Sequence, residues 1–350
     1  MREGFLLDPE VAYFNHGSYG ACPVEVFEEY QRLQRELETE PTEFLTRRFH
    51  ESLDGARAAL ASFLGARADD LVFTPNATSA LNAVIRSLRI RPNEEILTTK
   101  HEYGAIVRTL GFIRANVVLV EPEELLASIG IRTRAVVVSH ITSPTALVLP
   151  VEEVCEAARR AGILSIVDGA HVPGHVPLDV EAVGADVYAG NCHKWLCAPK
   201  GAGFLWARPE HQEWIEPLVV SWGYHEEAGF GERHGWQGTR DPAAYLAVPR
   251  AIEAHATFDL ERARELADQA ERALAPYGLR PLRGARSPLM RAFTVRTSDP
   301  DALWHRLYDE HRVEIPVYAW EETALMRVSI GPYNDEADLE RLVDAVRAVL

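Results

Sequence analysis

Between residues 24 and 40 the apolar positions Phe27, Tyr30, Leu33 and Leu37 recur at helical spacing, with Pro23 at the first turn, which predicts a helix. A second helix is expected over residues 53–64. The pattern then changes to short β-branched and aliphatic runs separated by amphipathic stretches. Strands are predicted at 71–74, 95–98, 117–120, 135–141, 163–167 and 186–189, and helices at 78–88, from about 103, and at 151–160. Near-continuous apolar runs such as AVVVSHI and ILSIV are what a mostly parallel sheet covered by helices on both faces requires. In such a sheet the ligand lies at the carboxyl ends of the strands, so the turns after residues 74, 98, 141 and 167 are the places to look for chemistry.

Beyond the sheet, SWGYHEEAGFGERHGWQGTRD (221–241) has no regular period and reads as a long functional or mobile loop. A long helical stretch is expected over 243–275, then a strand at 290–295, a helix at 300–311, a strand at 326–330 and a helix at 335–349. The last hundred residues thus form a smaller α+β unit. The expected division is an N-terminal segment (1–17), a large α/β domain (18–245) and a small C-terminal domain (246–350).

Composition narrows the class. The chain has 350 residues, 47% hydrophobic and 25% charged, with 36 cationic against 52 acidic side chains and a net charge of -16. That is the balance of a globular protein with a sizeable core. The acidity argues against nucleic acid or an anionic membrane surface as a partner. Cys22, Cys155, Cys192 and Cys197 form no CxxC pair, no apolar run is long enough for a membrane span, and the N-terminus has charges where a signal peptide is apolar, so a cytoplasmic protein is expected.

Only three of the 36 cations are lysines, and one of them, Lys194, stands in NCHKW directly after an apolar strand. A desolvated lysine has a lowered pKa and can form an imine with a carbonyl, although an ion-paired surface lysine is the plainer alternative. Asp168, at a strand end in VDGAH, is by itself as compatible with a cap as with catalysis; beside an imine-forming lysine it acquires the role of holding a pyridine nitrogen protonated. TPNATSA (74–80) is a strand-to-helix turn suited to phosphate, or an ordinary capped helix start. No GxGxxG, Walker or HExxH pattern occurs, and Gly17-Ser18-Tyr19-Gly20 is not a nucleophile elbow. His171 and His175 have helical ligand spacing, but Pro173 and Gly174 between them make a helical metal site improbable. No metal is expected.

Eight ordered blocks resemble the class V aminotransferase group of fold-type I pyridoxal phosphate enzymes, in particular its isopenicillin N epimerase-like branch, close to cysteine desulfurases. They are YFNHGSYGACP (13–23), NATSALN (76–82), HEYGA (101–105), SHITSPTAL (139–147), VDGAHVPG (167–174), CHKWLCAPKG (192–201), WQGTRD (236–241) and MRVSIGPYN (326–334). The resemblance implies a fold-type I transferase fold and a pyridoxal 5'-phosphate cofactor joined to Lys194. Asp168 would pair with the ring nitrogen and His171 lie near the phenolic oxygen. Ala77, Thr78, Asn191 and His193 would take the phosphate, with Thr239 reaching across from a second subunit of a homodimer. Ser143 also belongs to the implied cofactor site. Tyr103 would stack on the cofactor ring, Arg327 grip an α-carboxylate, and Tyr19 and Trp236 border the substrate. The aromatics Trp222, Tyr224 and Trp320 are further pocket candidates.

One departure is informative. Desulfurases carry a nucleophilic cysteine shortly before the carboxylate-binding arginine, and VEIPVYAWEETAL (313–325) contains none. The expected activity is therefore proton removal and return at Cα of an amino acid or amino-acid-derived substrate, as in an epimerase or racemase. Alternatives are transamination or β-elimination from a cysteine-type substrate, with a persulfide-forming desulfurase or a catalytically idle scaffold behind them. Lys194 would serve as base, and Tyr103, His101 or His225 as a second acid. Of the other lysines, Lys200 is expected to be structural, and Lys100 either approaches the substrate or faces solvent.

Overall fold

The computed structural model describes residues 2–350. Seven strands form the main sheet in the order Leu71–Thr74, Gly203–Ala207, Val187–Asn191, Leu164–Gly169, Thr133–Ser139, Glu95–Thr99, Asn116–Val120. The last five are mutually parallel, and Gly203–Ala207 runs antiparallel to both of its neighbours. Alternation within one strand explains why the sheet needs helices on both faces. Val136 and Val138 enter one apolar cluster with Leu60, Phe73, Val154 and Phe204, whereas Ala135 and Val137 enter another with Leu81, Ile85 and Ile106. The helices Phe49–Leu64 and Val151–Arg160 cover the first face, and Ala77–Ser87 and Gly104–Phe112 the second.

A four-stranded antiparallel sheet follows, ordered Val317–Trp320, Thr323–Ser329, Met290–Val295, Arg280–Pro281. Leu260–Leu274 and Glu336–Val349 close its core through Leu266, Phe293, Met326 and Leu342. The N-terminal strand Ala12–Tyr13 pairs in parallel with Val313–Glu314, and Asn15 bridges to Ser329. This ties the first residues to the chain's last third and carries Ser18 and Tyr19 to the carboxyl edge of the large sheet.

Three expectations need correction. The helical stretch over 243–275 is three helices, Ala243–Leu246, Val248–His255 and Leu260–Leu274. Pro249 permits a helix start but not an uninterrupted interior, and Asp259 caps the third helix through Arg262 N at 2.9 Å. The irregular 221–241 segment contains a short helix, Phe230–Gly235. Five strands have no counterpart in the sequence reading: the two-residue strands Ala12–Tyr13, Arg280–Pro281 and Val313–Glu314, Gly203–Ala207, hidden among the turn signals of APKGAG, and Val317–Trp320, which forms a tight hairpin with Thr323–Ser329.

The N-terminal loop docks where only glycine fits. Gly20 has φ 69°, and a Cβ there would lie 2.0 Å from His193 O. Gly20→Ala is expected to cost about 2–4 kcal/mol through strain and this backbone clash, read as a lower Tm in thermal unfolding. A variant as stable as the parent would show that the loop does not dock there.

Candidate active site

The carboxyl ends of the parallel strands open into a cavity of about 310 Å³ lined by Asp168, Asn191, His193, Lys194, Thr78 and Tyr103, among others. Asp168 is buried near the end of Leu164–Gly169, where its Oδ1 accepts from Ala170 N at 2.8 Å. Burial raises its pKa, and the nearby Lys194 opposes that shift. No side-chain cation lies within 4.0 Å of its carboxyl among the described residues, so it is poised for a cationic ligand.

Behind Asp168 is a residue the sequence reading missed. Glu102 is buried, and its Oε1 accepts from Ser139 Oγ at 2.6 Å and from Tyr103 N at 2.8 Å. Its Oε2 has no partner, and burial followed by the charge of Asp168 raises its pKa. Two buried carboxyls so close favour the protonated form of one of them. HEYGA gives no local sign of this, because burial of Glu102 depends on Ser139, 37 positions away.

Lys194 follows Val187–Asn191 in the turn before Gly203–Ala207. Burial, then Arg327, lowers its pKa to about 7, with Asp168 opposing. Its Nζ lies 3.0 Å from His171 Nε2, while Trp195 Nε1 donates to His171 Nδ1 at 3.4 Å. The indole N–H leaves Nδ1 as the acceptor, which assigns the proton of the neutral imidazole to Nε2. His171 is held neutral by burial and Lys194, so Nε2–H donates to an uncharged Lys194 amine. His175, the other half of the metal-like pair, is committed elsewhere: its Nδ1 donates to His171 O, and its Nε2 accepts from Leu289 N at 3.0 Å.

The helix Ala77–Ser87 begins at the cavity wall. Asn76 caps it by accepting from Ser79 N, and Asn191 Oδ1 accepts from Ala77 N, both at 2.8 Å. Asn191 therefore positions the helix start, and the Thr78 N–H, which has no protein acceptor, is the backbone donor left for an anion. His193 donates from Nδ1 to Ala202 O at 3.0 Å, and burial lowers its pKa to about 4. Lys200, expected to be structural, also lines the cavity and donates to Gly20 O at 3.2 Å. Lys100 instead forms an exposed ion pair with Glu121 at 2.5 Å.

Arg327, on Thr323–Ser329, is buried and has no carboxylate within 4.0 Å among the described residues. Its Nη1 donates to Ser143 O at 2.6 Å and Ser143 Oγ at 3.2 Å, its Nη2 to Ser18 Oγ at 2.8 Å, and its Nε has no partner. Ser18 and Ser143 both line the cavity. A buried guanidinium bonded only to neutral groups favours an incoming carboxylate.

Of the three residues considered as a second acid, only Tyr103 lines this cavity. His101 bonds to Thr145 Oγ1 at 2.9 Å and packs edge-on against Trp320, and His225 is an exposed partner of Glu232. Tyr19 borders the cavity, but Trp236 and Thr239 line a different one, of about 1120 Å³, with Phe49, His50 and Trp222. Within one chain, then, neither Trp236 nor Thr239 belongs to the Lys194 cavity. The donor set around Lys194 fits pyridoxal 5'-phosphate: an uncharged amine, a buried carboxyl lacking a cation, an open helix N-terminus and an aromatic wall at Tyr103.

A family model described as Aminotransferase class-V matches residues 20–342. The isopenicillin N epimerase of Amycolatopsis lactamdurans is 37% identical, over 99% of this chain and 97% of that protein. That of Streptomyces clavuligerus is 35% identical over the same shares. A probable chloroplastic L-cysteine desulfhydrase of Arabidopsis thaliana is 26% identical over 98% of this chain and 84% of its own. Among solved structures, a C-DES mutant with glycine covalently linked to its PLP cofactor superposes with a TM-score of 0.88 at 22% identity, covering all of both chains. The cysteine desulfurase CsdA of Escherichia coli has a TM-score of 0.84 at 25% identity, covering 99% of this chain and 97% of that one.

The Lys194 environment has a pH signature. With its pKa near 7 rather than 10.5, the fraction of uncharged amine in the folded state grows through neutrality. Covalent capture of pyridoxal 5'-phosphate by cofactor-stripped protein, trapped with borohydride, is expected to rise between about pH 6 and 8 and level off above. Capture that keeps rising toward pH 10 would mean that Lys194 is solvated.

Proposed function

The chain belongs to the aminotransferase class-V family of pyridoxal 5'-phosphate enzymes, and from that premise we propose that it removes and returns a proton at Cα of an amino-acid-type substrate, as an epimerase or racemase. The observation that carries this reading is a Lys194 whose pKa is lowered to about 7 in a cavity whose lining residues Ser18 and Ser143 hold a buried Arg327 that has no carboxylate within 4.0 Å among the described residues. Arg327 fixes the α-carboxylate with a planar fork, and Ser18 and Ser143 hold that fork in place. Lys194 Nζ takes the Cα proton; a base with a pKa near the working pH transfers protons most effectively. His171 Nε2–H orients the lysine lone pair before the substrate arrives.

The substrate amine displaces Lys194 Nζ from the cofactor, which frees the lysine as the base, and the cofactor so joined would supply an electron sink for the charge left at Cα. Asp168 would hold its ring nitrogen, and Thr78 N–H and hydroxyl, with His193 and the Asn191-positioned helix start, would hold its phosphate. Tyr103 forms the aromatic wall and is the acid that returns the proton for inversion. The cysteines give no support to a persulfide route: burial raises the pKa of Cys22 and Cys155 to about 11 and pushes Cys192 and Cys197 higher still, so none is an activated thiolate. Elimination from a cysteine-type substrate is the second reading, favoured by the similarity to proteins named L-cysteine desulfhydrase.

Thr239 and Trp236 support a homodimer, since their place in a large separate cavity suits residues that serve a neighbouring subunit's site rather than their own. A cytoplasmic location accords with four free cysteines, and no helix among the described residues is long and apolar enough to cross a membrane.

In deuterated water the holoenzyme is expected to exchange the Cα proton of its amino-acid substrate, followed by NMR, with chiral chromatography showing inversion. Lys194→Ala should lower exchange at least about 10²–10⁴-fold, and Tyr103→Phe should reduce inversion more than exchange. Keto-acid or pyruvate formation in place of inversion would replace epimerisation by transamination or elimination. Light scattering is expected to give about twice the 39.0 kDa chain mass; a monomer active at the same specific rate would remove Thr239 from the site.

A further inference from the structure

Ser18 and Tyr19 form a wall with two sides. One faces the Lys194 cavity, and the other faces a second cavity of about 560 Å³ between the N-terminal segment and the last third of the chain. Val11, Tyr13, Trp304, Tyr308 and Pro316 give this second cavity a largely apolar lining. It holds two carboxylates in different circumstances. Asp8 is neutralised by Arg312 at 3.1 Å. Glu314 is half-buried, accepts one hydrogen bond, from Asn15 Nδ2 at 2.9 Å, and has no cation within 4.0 Å among the described residues. A carboxylate partly withdrawn from water into an apolar cavity without a counterion favours a cationic occupant.

A continuous set of hydrogen bonds through this shared wall links groups on its two sides. Arg327 Nη2 donates to Ser18 Oγ at 2.8 Å, Ser18 Oγ donates to Asn15 Oδ1, and Asn15 Nδ2 donates to Glu314 Oε1 at 2.9 Å. The group that would take an α-carboxylate and the lone acid of the second cavity are thus three hydrogen bonds apart. Resting on the reading of the Lys194 and Arg327 site given above, we propose that the second cavity is a specificity subsite for a substrate side chain that carries a cationic nitrogen beyond an apolar stem. The stem packs against Trp304 and Pro316, and the ammonium or guanidinium meets Glu314, with the Tyr308 and Tyr13 rings beside it. Burial, then Glu314, pushes the Tyr13 phenol up to about 12, so at neutral pH Tyr13 remains an uncharged donor beside Glu314. The net charge of -16 adds a long-range attraction for cationic amino acids.

Three amino acids with similar stems separate the possibilities: L-lysine with a terminal cation, L-norleucine with none, and L-2-aminoadipate with a terminal anion. Titrated calorimetrically into the holoenzyme, lysine is expected to bind about tenfold or more tightly than norleucine, with aminoadipate weakest, a difference of about 1.4 kcal/mol per decade. Glu314→Gln, which keeps the shape and the Asn15 contact, should bring the lysine-to-norleucine ratio below about threefold. Norleucine or aminoadipate binding as well as lysine overturns the subsite, as does an unchanged ratio in a folded Glu314→Gln protein. Should that variant not fold, the wild-type ratio decides. Cα-proton exchange in the same solutions tests the underlying reading separately. Lysine preference without exchange supports the subsite and refutes the proton-transfer reading, whereas exchange with norleucine preferred does the reverse.

Discussion

Lys194 and Arg327 place two basic side chains at a largely desolvated edge of the sheet, with no carboxylate within 4.0 Å of Arg327 among the described residues and Asp168 the acid that acts on Lys194. Desolvation there is unfavourable to a charge, which is either met by neutral acceptors or weakened. The molecule uses both solutions. Arg327 keeps its charge and is bonded to Ser143 and Ser18, while Lys194 loses much of its proton affinity and accepts from His171. Much of the architecture around the carboxyl edge of the sheet serves this arrangement. Gly20 lets the N-terminal loop approach His193 and Lys194, Trp195 fixes the His171 tautomer, and His175 ties the 171–175 turn to Leu289 of the C-terminal region.

Several histidines follow from the same low-dielectric setting. His16 accepts or donates between Tyr333 Oη at 3.0 Å and Lys194 O at 3.1 Å, and burial drives its pKa to about 3. His175 is lowered to about 3 and His193 to about 4 by the same cause. Around Lys194 the imidazoles therefore act as neutral connectors with fixed donor and acceptor ends. On the function proposed above, a ligand charge entering at Asp168, at the Thr78 helix start or at Arg327 would meet groups already oriented for it, the condition under which electrostatic stabilisation costs no reorganisation.

How much of this was legible along the chain differs from residue to residue. The strands around Val137 and Ile166 and the helices at 151–160 and 300–311 follow from local periodicity and capping residues such as Asp299 and Asp335, which do not need the rest of the fold to act. Lys194, Asp168 and Thr78 stand out along the chain as a scarce lysine, a carboxylate at a strand end and a strand-to-helix turn, and the fold brings all three to one cavity. Glu102, Lys200 and Ser18 do not stand out, because each gains its meaning from a partner 37, 180 or 309 positions away. The single helix expected over 243–275 failed where Asp259 could cap a new one, a choice settled by the cores on either side of it.

The sequence by itself determined the alternation of strands and helices, the lysine that can carry an imine, and the absence of a cysteine in 313–325. These are properties of residue type and short-range spacing, which the chain carries whether or not it is folded. Only the tertiary structure decided that the Lys194 pKa falls to about 7, that Arg327 has no counterion among the described residues, and that Thr239 and Trp236 lie apart from the Lys194 cavity. It also joined Arg327 to Glu314 through Ser18 and Asn15. Desolvation and hydrogen-bond satisfaction are set by which distant segments pack together, and no local pattern of residues encodes them.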